Sequence, residues 1–124
     1  MTDIAKKQEV SVGKISDFSV GQFKLVEVGN RQIGITLLKN GDIRAVNNYC
    51  PHKGAPICVG LVSGTSLPCE PGELIYGRDG EVLVCPWHGY EFDLVTGNEM
   101  FRERPLKLRM YPATEHDGEI IVTI

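Results

Sequence analysis

Two short cysteine and histidine motifs limit what this chain can fold into more than any other feature of its sequence. The first is C-P-H at residues 50–52, and the second is C-P-W-H at residues 85–88, after a long spacer at 53–84. Each motif offers one thiolate and one imidazole, which are ligand types of zinc sites and of iron–sulfur sites. Two such motifs in one small chain predict two opposed loops that hold one metal centre between them.

Two kinds of centre suit a set of two cysteines and two histidines: a single zinc ion, or a cluster of two irons and two sulfides. Structural zinc sites commonly draw two cysteines from one loop and two histidines from another, whereas each loop here mixes the two types. In a two-iron cluster with mixed ligands, one iron carries both thiolates and the other carries both imidazoles. Cys50 and Cys85 could then share one iron, with His52 and His88 on the other. The spacing favours the cluster, and zinc stays open.

The two loops resemble those of the Rieske-type ferredoxins and of the Rieske domains of aromatic-ring oxygenases. The resemblance lies in CPHKGAP at residues 50–56 and in CPWHGYEFD at residues 85–93, and it extends from about residue 9 to the C terminus. It implies one Rieske-type [2Fe-2S] cluster per chain. The ligands that it implies are Cys50, His52, Cys85 and His88.

Proline and glycine flank the ligands in both loops. Pro51 and Pro86 each follow a cysteine, where the ring fixes φ at about −65° and stiffens the backbone. Gly54 and Gly89 lie just after each histidine, where glycine allows a sharp turn. We expect the thiolates to be buried and both histidine rings to lie at the surface, facing a redox partner.

The histidine count argues against a complete oxygenase. Such an enzyme also carries a mononuclear iron, held by two histidines and a carboxylate, and this chain has three histidines in all. The cluster would use two, and His116 alone cannot complete the second site. The resemblance therefore implies an electron carrier without catalytic residues, which passes single electrons from a flavin-containing reductase to a terminal oxygenase. We expect transient docking at a tip formed by His52 and His88.

Two other functions stay open at this point. One is the small Rieske subunit of a larger oxidoreductase, such as a nitrite reductase, and the other is a binding module stabilised by zinc. Nothing in the chain identifies the final substrate, because a carrier of this kind does not contact it.

Turn residues and short β-rich segments predict an all-β fold. The 14 glycines and 7 prolines recur along the chain and leave little room for a long helix. Asn-Gly at 40–41 is a strong hairpin signal, and Arg-Asp-Gly at 78–80 predicts a turn. We expect one domain over 1–124: an antiparallel sandwich or small barrel of the Rieske type, with an inserted cluster-binding lobe at about 48–93. The predicted strands are 22–28, 31–38, 43–47, 73–76, 81–84, 90–94, 98–101, 106–112 and 119–124.

Composition predicts a small cytoplasmic protein that binds neither nucleic acid nor membrane. A length of 124 residues suits one hydrophobic core. No apolar run approaches the roughly 20 residues of a membrane helix, and the first residues lack the apolar stretch of a signal peptide. The net charge of −3 argues against nucleic acid and suits docking on a basic partner surface.

The spacer at 53–84 is longer than is usual in the family, and it contains two further cysteines, Cys58 and Cys69. In a reducing compartment both are expected to be free thiols. Residues 63–72 are rich in glycine, proline and serine, so we predict a polar surface excursion there.

The residues beside the ligands also predict the reduction potential. In the branch of the family with high potential, a disulfide joins the two loops, and the matching positions here are Ala55 and Trp87. That branch also places hydroxyl donors where this chain has Tyr90 and Phe92. Hydrogen bonds to the sulfurs raise the potential, so their loss predicts a value near the low end of the Rieske range, about −150 mV.

Overall fold

Antiparallel strands and short turns form most of this protein. The computed structural model describes residues 8–52, 54–67, 71–72, 75–87, 89–101 and 103–124. Two short 3-10 turns lie at Ile15–Asp17 and Ile57–Val59. The strands are β1 (Glu9–Lys14), β2 (Lys24–Val28), β3 (Arg31–Leu37), β4 (Ile43–Asn47), β5 (Leu61–Leu67), β6 (Ile75–Val84), β7 (Glu91–Asp93), β8 (Met110–Tyr111), β9 (Ala113–His116) and β10 (Glu119–Thr123).

Two sheets form the base of the molecule. One has the order β1-β10-β9 and the other has the order β2-β3-β4-β8. Side chains alternate along β10, so that Ile120 and Val122 are buried and their neighbours are more exposed, as expected for a strand with one face on a core. The buried side chains of the base are Phe18, Val28, Ile33, Ile35, Ala45, Tyr111, Ile120 and Val122.

A third sheet, with the order β5-β6-β7, belongs to the part of the chain that we call the lobe (residues 48–93). A second set of buried side chains, which we call the lobe core, includes Cys50 and Cys85. β4 leads into the first cysteine loop and β6 leads directly into the second. The remaining members of the lobe core are Leu38, Val46, Ala55, Ile57, Cys58, Leu83, Phe92, Leu94 and Leu108.

Strand β3 is buried on both faces because it separates the two cores. Ile33 and Ile35 belong to the base core, while Gly34, on the opposite face, lies against Cys58 of the lobe core. A Cβ atom at residue 34 would lie 2.4 Å from the Cys58 sulfur. The glycine therefore allows the lobe core to pack closely on the base.

The prediction of an all-β antiparallel fold is confirmed. β2, β3 and β4 lie close to their predicted positions, since the turns between them fall at Gly29 and Gly41, both with positive φ. None of the helices in the described ranges is long and apolar enough to cross a bilayer. The extent of the single domain, 1–124, and of its lobe, about 48–93, stays a prediction.

The spacer differs from its prediction. Residues 63–67 form a regular strand instead of an irregular excursion, because they belong to β5, which pairs with β6. Residues 68–70 of the predicted excursion lie outside the described residues. The predicted turn at 78–80 is also wrong, since β6 continues through it with a shift of register. Arg78 has φ 56° there, and its guanidinium contacts the carboxylates of Glu81 and Asp93. A bulge inside a strand therefore replaces the predicted turn.

Three further segments differ from the predicted strands. β1 and β9 were not predicted, because β1 contains a glycine with φ 139° and β9 is mostly exposed and polar. Both strands form by pairing with β10. Residues 98–101 make isolated bridges instead of a strand, one of which joins Phe92 and Glu99. That bridge matters for the site.

Candidate metal centre

The first cysteine loop is closed by two backbone hydrogen bonds. The N–H of Cys50 donates to the carbonyl oxygen of Ala55 at 2.8 Å, and the N–H of Gly54 donates to the carbonyl oxygen of Cys50 at 2.8 Å. Gly54 has φ 78°, a conformation that glycine adopts at little cost. The loop therefore turns back on its own cysteine.

The second cysteine loop repeats this pattern. The N–H of Cys85 donates to the carbonyl oxygen of Tyr90 at 2.8 Å, and the N–H of Gly89 donates to the carbonyl oxygen of Cys85 at 3.0 Å. Gly89 has φ 73°. Both bonds join residues with the same sequence separations as in the first loop. Two segments far apart in sequence thus form equivalent turns, as the paired motifs predict.

Both candidate cysteine ligands are buried. Cys50 is 0% exposed and Cys85 is 2% exposed, and both belong to the lobe core. The expectation of buried thiols is therefore met. Two buried sulfurs, each presented by a tight turn, match the thiolate half of a mixed cluster.

His52 does not lie at the surface, so that expectation is wrong for this residue. Its side chain is only 12% exposed, and Nε2 lies 2.6 Å from Oε2 of Glu99. One face of the ring stacks on Tyr90, with centroids 3.8 Å apart and planes at 13°. The Phe92 ring is tilted, with its centroid 6.0 Å away. Residues distant in sequence therefore bury the His52 ring, which the motif alone predicted to be exposed to solvent.

Glu99 is the residue of this site that sequence reasoning missed. It follows His52 by 47 residues and lies in a segment that we predicted to be an ordinary strand. Its side chain is 3% exposed. A carboxylate is seldom so buried unless it has a charged or hydrogen-bonding partner. Only the fold brings the two residues together, and no local signal in the sequence marks the pair.

The remaining predictions for this region concern His88, Cys69 and Trp87. His88 and Cys69 lie outside the described residues, so their placement stays a prediction. Within the described ranges, no group of three or more cysteine, histidine and acidic side chains lies close enough together to hold a metal ion. Trp87, which lies between the two predicted ligands of the second motif, is 56% exposed.

Cys58 is a free thiol, as predicted, and it serves packing. Its sulfur lies 3.7 Å from the carbonyl oxygen of Val46, and burial raises the pKa of the thiol to about 12. A thiol that stays protonated is a poor nucleophile and a poor metal ligand. Cys58 is therefore distinct in character from the two loop cysteines.

The sequence profile of the Rieske [2Fe-2S] domain matches residues 8–112, which include both loops and all the strands of the lobe. The chain belongs to the Rieske [2Fe-2S] domain family. Its cofactor is accordingly a Rieske-type [2Fe-2S] cluster. Such a cluster is an electron-transfer centre, and family membership gives this chain an electron-transfer role.

Two curated proteins with similar sequences are mammalian forms of apoptosis-inducing factor 3. Apoptosis-inducing factor 3 of Homo sapiens and of Mus musculus is 32% identical over 90 residues, which are 73% of this chain and 12% of the relative. The chain thus spans only a small part of these relatives.

Solved structures share the fold. The ferredoxin of carbazole 1,9a-dioxygenase from Nocardioides aromaticivorans IC177 has a TM-score of 0.70 at 20% identity, covering 92% of this chain and 95% of that one. A protein assigned as the small subunit of an NADH-dependent nitrite reductase from Mycobacterium tuberculosis has a TM-score of 0.71 at 22% identity, covering 98% and 97%.

The described residues fit the family's cofactor. Two buried thiols arrive from equivalent turns, and the contact of Nε2 with Glu99 would leave Nδ1 of His52 as the ring nitrogen for a metal. When bound, the cluster accepts and donates one electron. The protein's own contribution is to keep the cysteine sulfurs from water and to fix the ring of His52.

Proposed function

We propose that this protein is a Rieske-type ferredoxin, which carries single electrons from a flavin-containing reductase to a terminal oxygenase. The observation that carries the proposal is the pair of equivalent turns that bury Cys50 and Cys85 in one core. Rigid, buried ligands limit rearrangement when the charge of a centre changes, as electron transfer requires. The likeness to a solved dioxygenase ferredoxin supports this choice.

The proposed ligands follow the family pattern. Cys50 and Cys85 hold one iron, and His52 and His88 hold the other. No residue of the chain is proposed to be catalytic. His116 lies at the end of β9 in the base, and its side chain is largely exposed beside Asp117. It is therefore poorly placed to join a second iron site with the lobe ligands.

The proposed docking tip differs from the one that the sequence suggested. Because Glu99 and Tyr90 cover His52, we propose that a partner contacts the exposed rim of the loops instead, at Tyr49 and Trp87. We also include His88 in this tip, because the second motif resembles the cluster-binding loop of the family. Large aromatic side chains supply much of the binding energy in protein interfaces, and the net charge of −3 suits a basic partner surface.

The proposed compartment is the cytoplasm. Cys58 is a free thiol, which suits a reducing environment.

A reconstituted electron-transfer chain tests the proposal. The anaerobically purified protein is mixed with NADH, a purified flavin-containing reductase of an aromatic-ring dioxygenase system, and cytochrome c as the electron acceptor. We expect reduction of cytochrome c that rises with the concentration of this protein and then saturates. The Cys85→Ser variant should not support it.

Two results would argue for other functions. A colourless wild-type protein that contains one zinc ion per chain would support a binding module. Purification of the native protein in a stable complex with a large redox enzyme would support a subunit, of the kind that the nitrite reductase likeness suggests.

A further inference from the structure

We infer that Glu99 is a positioning residue for the metal centre. Its buried carboxylate holds the ring of His52 by Nε2, and its negative charge lowers the reduction potential on the histidine side of the cluster. The inference rests on the proposed ligand set, in which His52 binds iron. It adds to that set a residue from outside both loops.

The contact itself is short and sheltered from water. Nε2 of His52 and Oε2 of Glu99 are 2.6 Å apart, and the two side chains are 12% and 3% exposed. Hydrogen bonds with a charged partner are shorter and stronger than neutral ones. Their strength also increases where the effective dielectric constant is low. The contact between His52 and Glu99 should therefore be stronger than an ion pair on the surface.

The carboxylate is itself held in place, so it can orient the ring. Its other oxygen, Oε1, accepts a hydrogen bond from the backbone N–H of Leu106 at 3.2 Å. The backbone N–H of Glu99 donates to the carbonyl oxygen of Leu106 at 2.8 Å, and Glu99 also bridges to Phe92 of β7. Contacts with Leu106 and Phe92 thus fix the position of the Glu99 carboxylate independently of its contact with His52.

Three groups then restrict the imidazole. Glu99 holds Nε2, Tyr90 stacks on one face at 3.8 Å, and Phe92 is tilted against the ring. A histidine ligand that donates its second ring N–H to a carboxylate has a fixed tautomer and orientation, and it is a more basic ligand. Glu99 acts in this way from a segment that neither motif contains.

The charge of Glu99 predicts an electrostatic effect on the cluster. The reduced cluster carries one more negative charge than the oxidised cluster. A fixed carboxylate close to one of its ligands disfavours that added charge, and the burial of Glu99 and His52 weakens screening by solvent. The reduction potential should therefore be lower than in a protein with a neutral group at this position.

The Glu99→Gln variant separates charge from shape, because it keeps the side-chain size and one oxygen acceptor. Glu103→Gln is the matched control, since Glu103 is an exposed glutamate close by in the same segment. We expect Glu99→Gln to retain two irons and two sulfides per chain, to change the EPR line shape, and to shift the midpoint potential to more positive values. Glu103→Gln should shift it far less. An unchanged potential in a fully loaded Glu99→Gln protein would overturn the inference.

A second variant is needed if Glu99→Gln does not bind the cluster. Glu99→Asp keeps the charge, so a loaded Glu99→Asp protein with a potential near that of the wild type supports the inference. If both variants fail to load but keep the circular dichroism spectrum of folded protein, the carboxylate is needed to position the ligand, which also supports it. If both unfold, Glu99 is a structural residue and the inference is wrong. A wild-type protein without a Rieske signal would instead refute the proposed function.

Discussion

The two cysteine loops have the same backbone turn but different surroundings. In each, the cysteine N–H and the following glycine N–H make equivalent hydrogen bonds. The first loop presents a histidine that Glu99 and Tyr90 cover, whereas the second presents an exposed tryptophan, Trp87. The turn depends on local sequence, while the surroundings depend on contacts between distant segments. The proposed positioning by Glu99 therefore acts on the first loop, while the second loop adds Trp87 to the proposed docking surface.

The largest expected effect is common to both loops. Cys50→Ser and Cys85→Ser should each lose the cluster, because either change removes one of the two thiolates that we propose to share an iron. Since metal binding is coupled to folding, each should also lower the free energy of unfolding, by about 4 kcal/mol or more. Iron analysis and thermal unfolding measure the two effects. If one of these variants kept a normal cluster, the equivalence of the loops would be refuted.

The two loop glycines should respond differently to substitution. Gly54→Ala and Gly89→Ala both place a Cβ at positive φ, which costs about 1 kcal/mol. The new Cβ at residue 54 would lie 2.9 Å from the Tyr49 ring, while at residue 89 no atom of the described residues lies within 4 Å. We expect Gly54→Ala to be the more destabilising, by about 1 kcal/mol.

Denaturant unfolding of the loaded proteins measures this difference. Tyr49→Ala supplies the control, because it removes the ring that the new methyl group would meet. On that background the cost of Gly54→Ala should fall to that of Gly89→Ala. Equal costs for the two glycines in the unmodified chain would show that Tyr49 does not constrain the first loop.

Aromatic residues of the second motif should separate tuning from docking. Tyr90→Leu removes the ring that stacks on His52, and it should lower the free energy of unfolding by about 1 kcal/mol. Trp87→Leu should lower it by less than about 0.5 kcal/mol, because the Trp87 ring is exposed. In the reconstituted assay, Trp87→Leu should raise the KM for this protein several-fold with little change in midpoint potential. A Trp87→Leu protein with an unchanged KM would remove this residue from the docking surface.

The smallest effect on the cluster is expected at Cys58, which lies just after the first loop. Cys58→Ala should leave the iron content and the visible spectrum unchanged, because the raised pKa of about 12 keeps this thiol protonated. The wild-type protein should lose stability as the pH rises from 9 towards 12, since the unfolded thiol ionises from its ordinary value of 9.0 and the folded thiol does not.

Titration of unfolding free energy against pH measures this contribution, with Cys58→Ala as the comparison. The substitution should remove part of the alkaline loss of stability. A bleached Cys58→Ala protein would instead show that Cys58 takes part in metal binding.

Local chemistry explains which parts of the molecule could be predicted from the sequence. The turns at Gly54 and Gly89 follow from residues within each loop, and the hairpins at Gly29 and Gly41 follow from turn residues beside alternating strands. The burial of the loop cysteines follows from the family's ligand pattern. For the turns and hairpins, the decisive residues are neighbours in sequence.

The parts that could not be predicted depend on pairing between distant segments. β5 is rich in serine, glycine and threonine, and it becomes a strand because β6 supplies hydrogen bonds along its length. His52 is buried because the segment after β7 places Glu99, which is 47 residues away in sequence, against its ring. Neither residue carries a local signal of the other. The bulge at Arg78 was mistaken for a turn because glycine and aspartate are common in both.

The most direct test of the paired-loop centre is EPR spectroscopy of the reduced, anaerobically purified protein, combined with iron and sulfide analysis. A paired-loop centre predicts two irons and two sulfides per chain and a rhombic signal of the Rieske type, which should be absent from Cys50→Ser and from Cys85→Ser. One zinc ion per chain without an EPR signal, or a Rieske signal that survives in Cys85→Ser, would contradict it.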